Sequence, residues 1–445
     1  MENIKQLGEG KKYFLRTYGC QMNERDSETI AGIIMGLGYE KAASAFDADL
    51  IIFNTCCVRE SAERKIYGRL NELRRLKNNK PNILLGVGGC MAQKDKERVL
   101  TKAPHVDFIF GTHNLGELPE IIRQAAATKE PIVQVWDQGK EPLDLPTFRE
   151  GSLKAFVTIT YGCTNFCTYC IVPYVRGQER SRYPEEIIEE VKQLSATGYK
   201  EITLLGQNVN TYGLDLGLAK INFAYLLKAV NEIPGIERIR YTTSHPRDFS
   251  QEIIAAVKNC EKVCEHFHLP VQAGSNRVLA RMNRGYTRED YFALIKQIRE
   301  AVPNNSITTD LIVGFPGETD ADFQDTLDLV QQVKFDNAFT FIYSPRSGTP
   351  AAVMPGQVPE AIKRERLNQL MELQDSISRQ INEKLRHQVV EVLVEGISDK
   401  DNDYLKGRTR TNKLVLFPGK KELVGQLVPV KITRPQTWNL YGDLI

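Results

Sequence analysis

The sequence lacks a membrane segment: it has no apolar run long enough to cross a bilayer, and its start, MENIKQLGEGKK, has no apolar signal core. It also lacks a charge imbalance, with 58 Lys and Arg residues against 56 Asp and Glu residues and a net charge of +2. The first absence argues against a membrane protein and predicts a cytoplasmic one. The second neither requires nor excludes RNA as a partner, so local basic stretches must decide.

The sequence contains nine cysteines, an odd number. Free thiols persist in a reducing cytoplasm, so closely spaced cysteines indicate a metal site or catalysis rather than disulfides. Cys163, Cys167 and Cys170 are separated by three and then two residues. They follow the apolar stretch Phe156–Thr160, which is predicted to be a buried strand. The three thiols are therefore predicted on a loop just after a strand.

This cysteine loop lacks the partners that zinc would need. Zinc sites usually combine two CxxC pairs or add histidines, and neither completes the three thiols here. Thiolates also suit iron–sulfur clusters, and three of them on a four-iron cubane leave one iron open. An open iron can bind a substrate-like molecule and pass it an electron. The alternative is that the three cysteines are buried apolar residues without a ligand role.

The first third of the chain alternates short apolar runs with helical patterns. This rhythm predicts an N-terminal parallel α/β sheet, whose strand C-termini form one ligand-binding edge. Helices are predicted from Asp26 and, as a basic amphipathic helix, from Val58 to Leu76. The predicted strands are Phe14–Thr17, Leu50–Phe53, Ile83–Val87 and Asp107–Phe110.

Three cysteines each follow the end of one of these strands. They are Cys20, Cys56 and Cys90, and because parallel strands end at one edge they are predicted to converge on a second three-thiolate cluster. Cys57 competes with Cys56, but neighbours in a strand point to opposite faces, so only one of them is expected to be a ligand. The alternative is that these cysteines are ordinary core residues.

The middle of the chain, after a predicted interdomain linker at Ile132–Phe148, repeats a strand–helix pattern. Six such units predict an incomplete (β/α) barrel whose strand C-termini carry the chemistry. The predicted strands are Phe156–Thr160, Glu201–Gly206, Arg238–Thr243, His266–Val271, Ile307–Val313 and Ala338–Tyr343. The predicted helices are Pro184–Thr197, Asn222–Ile233, Ser250–Asn259, Thr287–Ala301 and Thr319–Val333, followed by a long amphipathic helix over 359–385.

The tail changes to short strands with Gly and Asp-Asn punctuation. Alternation around Val390–Val394 and the short candidates Tyr404–Arg408, Leu414–Phe417, Val424 and Leu427–Ile432 predict a small antiparallel β-barrel of OB-like size. Such barrels often bind oligonucleotides. The cations Lys406, Arg408, Arg410 and Lys413, with Tyr404 available to stack on a base, form the most informative stretch.

Two further groups of arginines are candidate RNA or carboxylate contacts. Arg176, Arg180 and Arg182 follow the cysteine loop and are predicted to meet a phosphate backbone or a carboxylate, the alternative being a solvated loop. Arg281, Arg284 and Arg288 are predicted to form a second basic patch.

Several motifs resemble the methylthiotransferases, a subfamily of the radical S-adenosylmethionine (SAM) enzymes. They are TYGC, NTC and GGC in the first third, YGCTNFCTYCIVPYVRGQERSR, TTSHPRDFS, HLPVQAGSNRVLARMNRGYTRE and TDLIVGFPGETDADF in the middle, and KGRTRTNK in the tail. The resemblance covers almost the whole chain. It implies a methylthiotransferase domain over 11–128, a radical SAM domain over 149–380 and a TRAM RNA-binding domain over 382–445.

The resemblance implies two 4Fe–4S clusters and SAM as cofactors. The cluster on Cys163, Cys167 and Cys170 would bind SAM at its open iron and, with an electron, split it to a 5′-deoxyadenosyl radical. The auxiliary cluster would carry the sulfur that one SAM methylates. The family's auxiliary cysteine follows Asn-Thr, which corresponds to Cys56 and leaves Cys57 as a departure from the pattern.

Polar residues at the predicted barrel strand ends are the candidate SAM contacts. They are Gly206, Gln207, Asn208, Ser244, Gln272 and Asp310, with Tyr169 available to stack on adenine. A turn or cap is an equal alternative for each of them. His245, His266 and His268 are interpreted as structural histidines, and Cys260 and Cys264 as non-ligands.

The implied reaction converts N6-isopentenyladenosine at tRNA position 37 to its 2-methylthio form. Carbon 2 of adenine has no acidic proton, so a radical that removes its hydrogen is better suited than acid–base catalysis. The implied partners are the tRNA anticodon stem-loop, a flavodoxin-type electron donor and a sulfur or cluster donor protein, and the chain is predicted to act as a monomer without a membrane. Alternatives are methylthiolation of threonylcarbamoyl-adenosine in tRNA or of a ribosomal protein aspartate, and a non-catalytic iron–sulfur protein that binds RNA.

Overall fold

The computed structural model describes residues 7–57, 60–128, 130–137 and 145–445, the side chains of 60–64 excepted. The chain divides into two compact units. The first comprises Met1–Glu150, Tyr161–Thr164 and Ile171–Arg182, and the second comprises Gly151–Thr160, Asn165–Cys170 and Tyr183–Ile445. No helix within the described ranges is both long enough and apolar enough to cross a membrane.

The first unit is built on a six-stranded parallel sheet with the order β2-β1-β3-β4-β5-β6. The strands are β1 Lys12–Tyr18, β2 Glu40–Lys41, β3 Leu50–Thr55, β4 Leu84–Gly89, β5 Phe108–Phe110 and β6 Ile132–Gln134. The helices are α1 Gln21–Gly36, α2 Glu60–Asn79, α3 Cys90–Asp95, α4 Arg98–Lys102, α5 Leu118–Ala127 and, later in the chain, α6 Val172–Arg176.

The centre of this sheet is covered on both faces. Every residue of β3 is buried, as expected for a parallel strand with a helical layer on each side. One apolar cluster contains Ile51, Phe53 and Leu85, and the other contains Ile34, Ile52 and Phe110. The predicted parallel α/β sheet is confirmed.

Two boundaries in this unit differ from the sequence prediction. Helix α1 begins at Gln21 rather than Asp26, because the chain turns directly after Cys20. The supposed linker Ile132–Phe148 is wrong at its start, since Ile132–Gln134 pairs with β5 and adds the edge strand β6. Val58, the predicted start of the second helix, and residues 138–144 of the linker lie outside the described residues.

The second unit contains six parallel strands from 154 to 342, arranged as β11-β10-β7 and β12-β13-β14, and the predicted incomplete barrel is confirmed. The strands are β7 Lys154–Thr158, β10 Glu201–Leu205, β11 Arg238–Thr242, β12 His266–His268, β13 Ser306–Val313 and β14 Asn337–Ile342. Between β7 and β10 the chain also forms the two-residue strands β8 Thr160–Tyr161 and β9 Arg180–Ser181, which pair with each other and belong to neither half of this barrel. The helices are α7 Pro184–Ala196, α8 Phe223–Asn231, α9 Gln251–Asn259, α10 Asn276–Arg281, α11 Arg288–Ala301, α12 Asp320–Val333 and α13 Glu360–Glu383.

The tail forms a closed five-stranded barrel with the order β15-β16-β17-β19-β18. Its strands are β15 Val389–Ile397, β16 Tyr404–Thr409, β17 Leu414–Pro418, β18 Leu427–Pro435 and β19 Leu440–Leu444. The predicted small barrel is confirmed, but two details of the prediction are wrong. Val424 caps a short 3-10 turn instead of forming a strand, and the closing pair β17–β19 is parallel.

Two buried arginines, Arg238 and Arg240, and the half-buried Arg410 fasten this tail barrel to the parallel strands of the same unit. Arg238 donates to the Arg408 carbonyl at 2.6 Å, and Arg240 donates to the Thr409 carbonyl at 2.8 Å. Arg410, which belongs to the tail, donates two hydrogen bonds to the Glu265 carboxylate, at 2.7 and 2.9 Å. The tail is therefore held by charge-assisted hydrogen bonds, which are among the strong ones in proteins.

Candidate active site

The three early cysteines lie at one edge of the first-unit sheet. Tyr18 is aligned with Thr55, and Thr55 with Gly89, so β1, β3 and β4 end in one register row. Cys20 caps α1 two residues after this row, Cys56 comes one residue after it, and Cys90 begins α3. This register brings together three cysteines that are far apart in the sequence, with 36 positions from Cys20 to Cys56 and 34 from Cys56 to Cys90.

The four thiols at this edge contact one another in two pairs. Cys56 donates a hydrogen bond to Cys20, which with lesser help from Arg176 lowers the pKa of Cys20 to about 6 against the effect of burial. Cys57 donates to Cys90, lowering the pKa of Cys90 while its own pKa rises well above the ordinary value. These contacts favour the protonated thiol at Cys57 and make Cys20 and Cys90 easier to deprotonate.

Glycine and asparagine shape the backbone around these thiols. Gly89 has φ of +88°, and a Cβ there would lie 2.3 Å from the Asn54 amide oxygen, so only glycine fits. Asn23 donates to that same oxygen at 3.2 Å and accepts from the Cys20 thiol at 3.4 Å. The edge thus has a fixed backbone beside its sulfur atoms.

A buried arginine completes this edge. Arg176 of α6 is 6% exposed, donates from Nε to the Cys90 sulfur at 3.2 Å, and donates to the Asp26 carboxylate at 2.6 Å. Burial disfavours its charge, but Asp26 and Cys90 outweigh this and hold its pKa well above the ordinary value. The predicted phosphate or SAM contact of Arg176 stays a prediction, and the donors that the structure places, Nε and one Nη, serve the cysteine edge.

The donor set fits an iron–sulfur cluster better than a single metal ion. In the described ranges, no three His, Cys, Asp or Glu side chains are arranged to hold one ion. A four-iron cubane makes a different demand, because each thiolate binds a separate iron and only sulfur ligands are needed. Three cysteine thiols at one sheet edge, beside one buried cation, satisfy that demand.

The second cysteine trio is divided between the two units. Cys163 belongs to the first, where its N–H donates to the Gly177 carbonyl at 3.1 Å. The preceding Gly162 has φ of +74°, and a Cβ there would lie 2.1 Å from the Gln178 carbonyl. Cys167 and Cys170 belong to the second unit, where the Cys170 N–H donates to the Cys167 carbonyl at 2.9 Å and forms a tight turn.

A second buried arginine reaches this turn. Arg284 donates from Nη1 to the Cys167 sulfur at 3.3 Å and to the Tyr169 hydroxyl at 3.4 Å. Tyr169 is half-buried against Ala273, Val278 and their neighbours, and burial raises its pKa well above the ordinary value. The predicted basic patch of Arg281, Arg284 and Arg288 is wrong, since Arg284 is buried and Arg288 pairs with Asp325 and Asp328.

Buried polar atoms without partners gather where the barrel strands end. Among the described residues, Thr160 Oγ1, the Gln207 side-chain oxygen and Ser244 Oγ are buried and accept or donate no hydrogen bond. Both ring nitrogens of His245 are also buried without a hydrogen bond. Burial, and to a lesser extent the charges of Arg284 and Arg247, lower the pKa of His245 to about 2. Orphaned buried polar atoms are costly, so such a cluster marks a place where a polar ligand is accepted.

The other predicted SAM contacts are already engaged by protein. Gly206 receives a backbone hydrogen bond from Thr243, and Asn208 bonds Asp248 at 2.8 Å. Gln272 has φ of +73° and donates its N–H to the Asp310 carbonyl at 2.9 Å. The Asp310 carboxylate is half-buried, 3.7 Å from His268 Nε2.

Of the three histidines interpreted as structural, two behave so. His266 and His268 both hydrogen-bond the Thr308 hydroxyl at 3.0 Å. The ring of His245 forms no hydrogen bond with a described residue, so His245 stays a candidate ligand. The signal for this role in the sequence is its position in the loop between the end of β11 at Thr242 and the short 3-10 turn that begins at Pro246.

The predicted RNA-contacting cations of the tail are mostly paired. Lys406 bonds Asp399 at 2.7 Å, Arg408 lies 3.6 Å from Glu395, and Lys413 bonds Asp336 at 2.7 Å. Arg410 is occupied by Glu265. In the first unit Arg180 is half-buried and Arg182 is buried. The tail stretch is therefore less available to phosphate than its composition indicates.

Three family models match the chain in the order that the fold shows. The Uncharacterized protein family UPF0004 matches residues 12–111, the Radical SAM superfamily matches residues 157–330, and the TRAM domain matches residues 383–445. The parallel barrel strands, the CxxxCxxC loop after β7 and these matches define a radical SAM enzyme.

Relatives resolve the family further. The chain is 58% identical over 98% of both chains to the tRNA-2-methylthio-N(6)-dimethylallyladenosine synthase of Moorella thermoacetica. It is 54% identical to the protein of that name from Natranaerobius thermophilus, over 99% of this chain and 98% of the relative. The chain therefore belongs to the tRNA-2-methylthio-N(6)-dimethylallyladenosine synthase family of methylthiotransferases.

Solved structures share the fold at low identity. The radical S-adenosylmethionine methyltransferase TsrM from Kitasatospora setae, with cobalamin and a [4Fe-4S] cluster bound, has a TM-score of 0.55 at 15% identity over 77% of each chain. The cobalamin-dependent S-adenosylmethionine radical enzyme OxsB has a TM-score of 0.54 at 12% identity over 84% of this chain and 57% of its own. These likenesses support the fold alone.

Proposed function

We propose that this chain converts N6-isopentenyladenosine in tRNA to 2-methylthio-N6-isopentenyladenosine, as a radical SAM methylthiotransferase. The observation that carries the proposal is its 58% identity, over 98% of both chains, to a relative of that name. The position in tRNA is 37, beside the anticodon, where bases are partly unstacked and accessible to an enzyme. The names of the relatives do not favour a threonylcarbamoyl-adenosine or ribosomal protein substrate.

The six cysteines are the proposed ligands of two 4Fe–4S clusters. Cys163, Cys167 and Cys170 hold the SAM-binding cluster, and Cys20, Cys56 and Cys90 hold the auxiliary cluster. When bound, the first supplies the electron that splits SAM to a radical, and the second carries the sulfur that is transferred. The register row of β1, β3 and β4 supports the auxiliary assignment, because it delivers three thiols to one sheet edge.

The chain's own residues bind and orient SAM. The unpaired buried atoms of Thr160, Gln207, Ser244 and His245 are proposed to contact its ribose hydroxyls, amine or adenine edge. His245 is neutral, so one of its ring nitrogens accepts while the other donates. Tyr169, Gly206, Asn208, Gln272 and Asp310 remain proposed as the surrounding wall of this pocket.

The test is anaerobic reconstitution with iron and sulfide, followed by reductant and SAM. Formation of 5′-deoxyadenosine is expected, and its absence would support a non-catalytic iron–sulfur protein that binds RNA. Nucleoside analysis of tRNA from a deletion strain identifies the substrate. Loss of 2-methylthio-N6-isopentenyladenosine is expected, and an unchanged pool would reject the proposal.

The proposed setting is the cytoplasm, with the tRNA anticodon stem-loop as the substrate partner. Arg180, Lys406 and Arg408 remain the candidate contacts to its phosphates. A flavodoxin-type protein is proposed as the electron donor, a separate protein as the sulfur or cluster donor, and the monomer as the active state. Gel filtration with a synthetic anticodon stem-loop tests the last point, because one chain per RNA is expected.

A further inference from the structure

Arg284 is a buried cation with an unusual set of partners. Its side chain belongs to a residue that is 4% exposed, and its Nη1 donates to the Cys167 sulfur at 3.3 Å. Its Nη2 donates to the Pro270 carbonyl at 2.7 Å, and its Nε donates to the Tyr286 hydroxyl at 3.1 Å. Among the residues that the structure describes, no carboxylate forms an ion pair with Arg284, in contrast to Arg176, which pairs with Asp26.

Burying a guanidinium without a counter-charge is costly, because a carbonyl and two hydroxyls only solvate it. The Pro270 carbonyl and the hydroxyls of Tyr169 and Tyr286 are uncharged hydrogen-bond partners. Among the described residues that hydrogen-bond Arg284, Cys167 is the one whose sulfur can carry a full negative charge as a cluster ligand. A negatively charged sulfur centre beside Arg284 would thus neutralise the positive charge of its guanidinium.

The segment that carries Arg284 also holds the cysteine turn by its backbone. The Thr168 N–H donates to the Met282 carbonyl at 3.0 Å, and the Thr168 hydroxyl donates to the Arg281 carbonyl at 2.9 Å. The Asn283 side chain donates to the Asn165 and Phe166 carbonyls at 3.3 and 3.2 Å. The distance from guanidinium to sulfur is therefore fixed on both sides of the turn.

We propose that Arg284 is a positioning residue for the SAM-binding cluster. Arg284 donates an N–H to the Cys167 sulfur, and its unneutralised charge raises the reduction potential of that cluster. This inference rests on the proposed function, in which Cys167 is a cluster ligand. Hydrogen bonds to cluster sulfurs and nearby charge are the protein's means of setting such potentials. One-electron reduction adds negative charge to the cluster, so a neighbouring cation stabilises the reduced form.

The experiment is a redox titration followed by electron paramagnetic resonance, without SAM. The full-length chain carries Cys20→Ala, Cys56→Ala and Cys90→Ala, so that only the SAM-binding cluster contributes to the signal. Arg284→Gln removes the charge, and Arg284→Lys keeps the charge but cannot reach all partners. Arg281→Gln is the matched control, because that guanidinium donates to the Pro316 carbonyl and the structure records no contact of it with a cysteine sulfur.

Arg284→Gln is expected to lower the equilibrium constant for reduction about tenfold, which is a shift of about 59 mV to more negative potential for one electron. Arg284→Lys is expected to shift the potential less than half as far, and Arg281→Gln not at all. The titration detects only clusters that have formed, so partial loading does not obscure the result.

An unchanged potential in Arg284→Gln would overturn the inference. So would a shift in Arg281→Gln as large as that in Arg284→Gln, because the effect would then not depend on the contact with Cys167. If the parent with three early cysteines replaced shows no cluster at all, the proposed function fails instead. The two failures are therefore distinguishable.

Discussion

The two cysteine trios share one contact and differ in what surrounds it. Arg176 donates to Cys90 at 3.2 Å, and Arg284 donates to Cys167 at 3.3 Å. Arg176 also pairs with the carboxylate of Asp26, whereas Arg284 is held by a carbonyl and phenol hydroxyls. Both arginines thus donate a hydrogen bond to a cysteine sulfur. The positive charge of Arg176 is largely neutralised by Asp26, whereas the charge of Arg284 is not.

The two trios are also assembled differently. The early cysteines depend on sheet register, because each follows a separate strand. The later ones depend on one loop and its turn. Loss of a cysteine should therefore separate their roles without disturbing the other trio.

The largest expected effect separates the two trios by function. Cys167→Ala should abolish both SAM cleavage and methylthio transfer, because the cluster that reduces SAM loses a ligand. Cys56→Ala should spare cleavage and abolish transfer. Both products, 5′-deoxyadenosine and the modified nucleoside, are measured by mass spectrometry in the same reaction. Cys264→Ser is the control, since this buried thiol belongs to neither trio. Equal loss of cleavage in both alanine variants, with folding intact, would contradict the division of labour.

The next effect is on metal content. Two four-iron clusters require about eight iron atoms per chain, and a chain with Cys20, Cys56 and Cys90 all replaced by alanine should retain about four. Iron and acid-labile sulfide are measured after anaerobic reconstitution and desalting. If the parent chain binds only about four iron atoms, it holds one cluster, and the comparison of two cluster-binding trios fails.

A smaller effect tests the carboxylate at the first contact. Asp26→Ala leaves Arg176 buried without its counter-charge, so the free energy of unfolding of the first unit should fall by about 3–5 kcal/mol. Trp136 lies in this unit and Trp438 lies in the other. Urea unfolding of the metal-free chain with Trp438→Phe, followed by tryptophan fluorescence, therefore reports the unfolding of the first unit. Glu72→Ala removes an exposed ion pair with Arg69 and should cost less than about 1 kcal/mol. Equal losses would show that Asp26 is not needed to balance the charge.

The smallest effect tests the neutral partners at the second contact. Tyr286→Phe leaves the Arg284 Nε without its acceptor, so the second unit should lose about 1–3 kcal/mol of unfolding free energy. The same urea titration in a Trp136→Phe background reports this unit. Tyr291→Phe is the control for loss of a buried hydroxyl that is not a hydrogen-bond partner of Arg284, because that hydroxyl donates to the Leu269 carbonyl. A loss for Tyr286→Phe larger than that for Asp26→Ala would reverse the comparison.

Sequence patterns were sufficient for the architecture and for where the cysteines lie. Strand, helix and turn signals are local, so the parallel sheet, the partial barrel and the small tail barrel were predictable. Two short strands were not predictable: Ile132–Gln134 lies at the edge of the first sheet and Leu440–Leu444 lies between two strands of the tail barrel, and their strand conformation depends on hydrogen bonds to neighbours that no local pattern reveals. Strand β12 ends at His268, two residues before Pro270, which has no N–H to donate.

The charged residues of the site were the least predictable part. Arg176 and Arg284 each lie in an arginine-containing stretch that reads as a solvated or RNA-binding surface, yet both are buried against a cysteine. Arg410 is directed to Glu265 by the tail's position on the parallel strands. Such assignments depend on which partner folding brings near, and a sequence gives the charge of a residue but not its partner.

The arginines that fasten the tail have a consequence for chimaeras. Arg238 and Arg240 donate to backbone carbonyls of the tail, contacts that any tail sequence can offer, and Arg238 also donates to the Glu391 carboxylate at 2.8 Å. The Arg410–Glu265 pair, by contrast, requires one matched residue from each side. A transplanted TRAM module would therefore keep the main-chain contacts with this barrel, whereas the ionic contacts would require a glutamate at the place of Glu391 and an arginine at the place of Arg410.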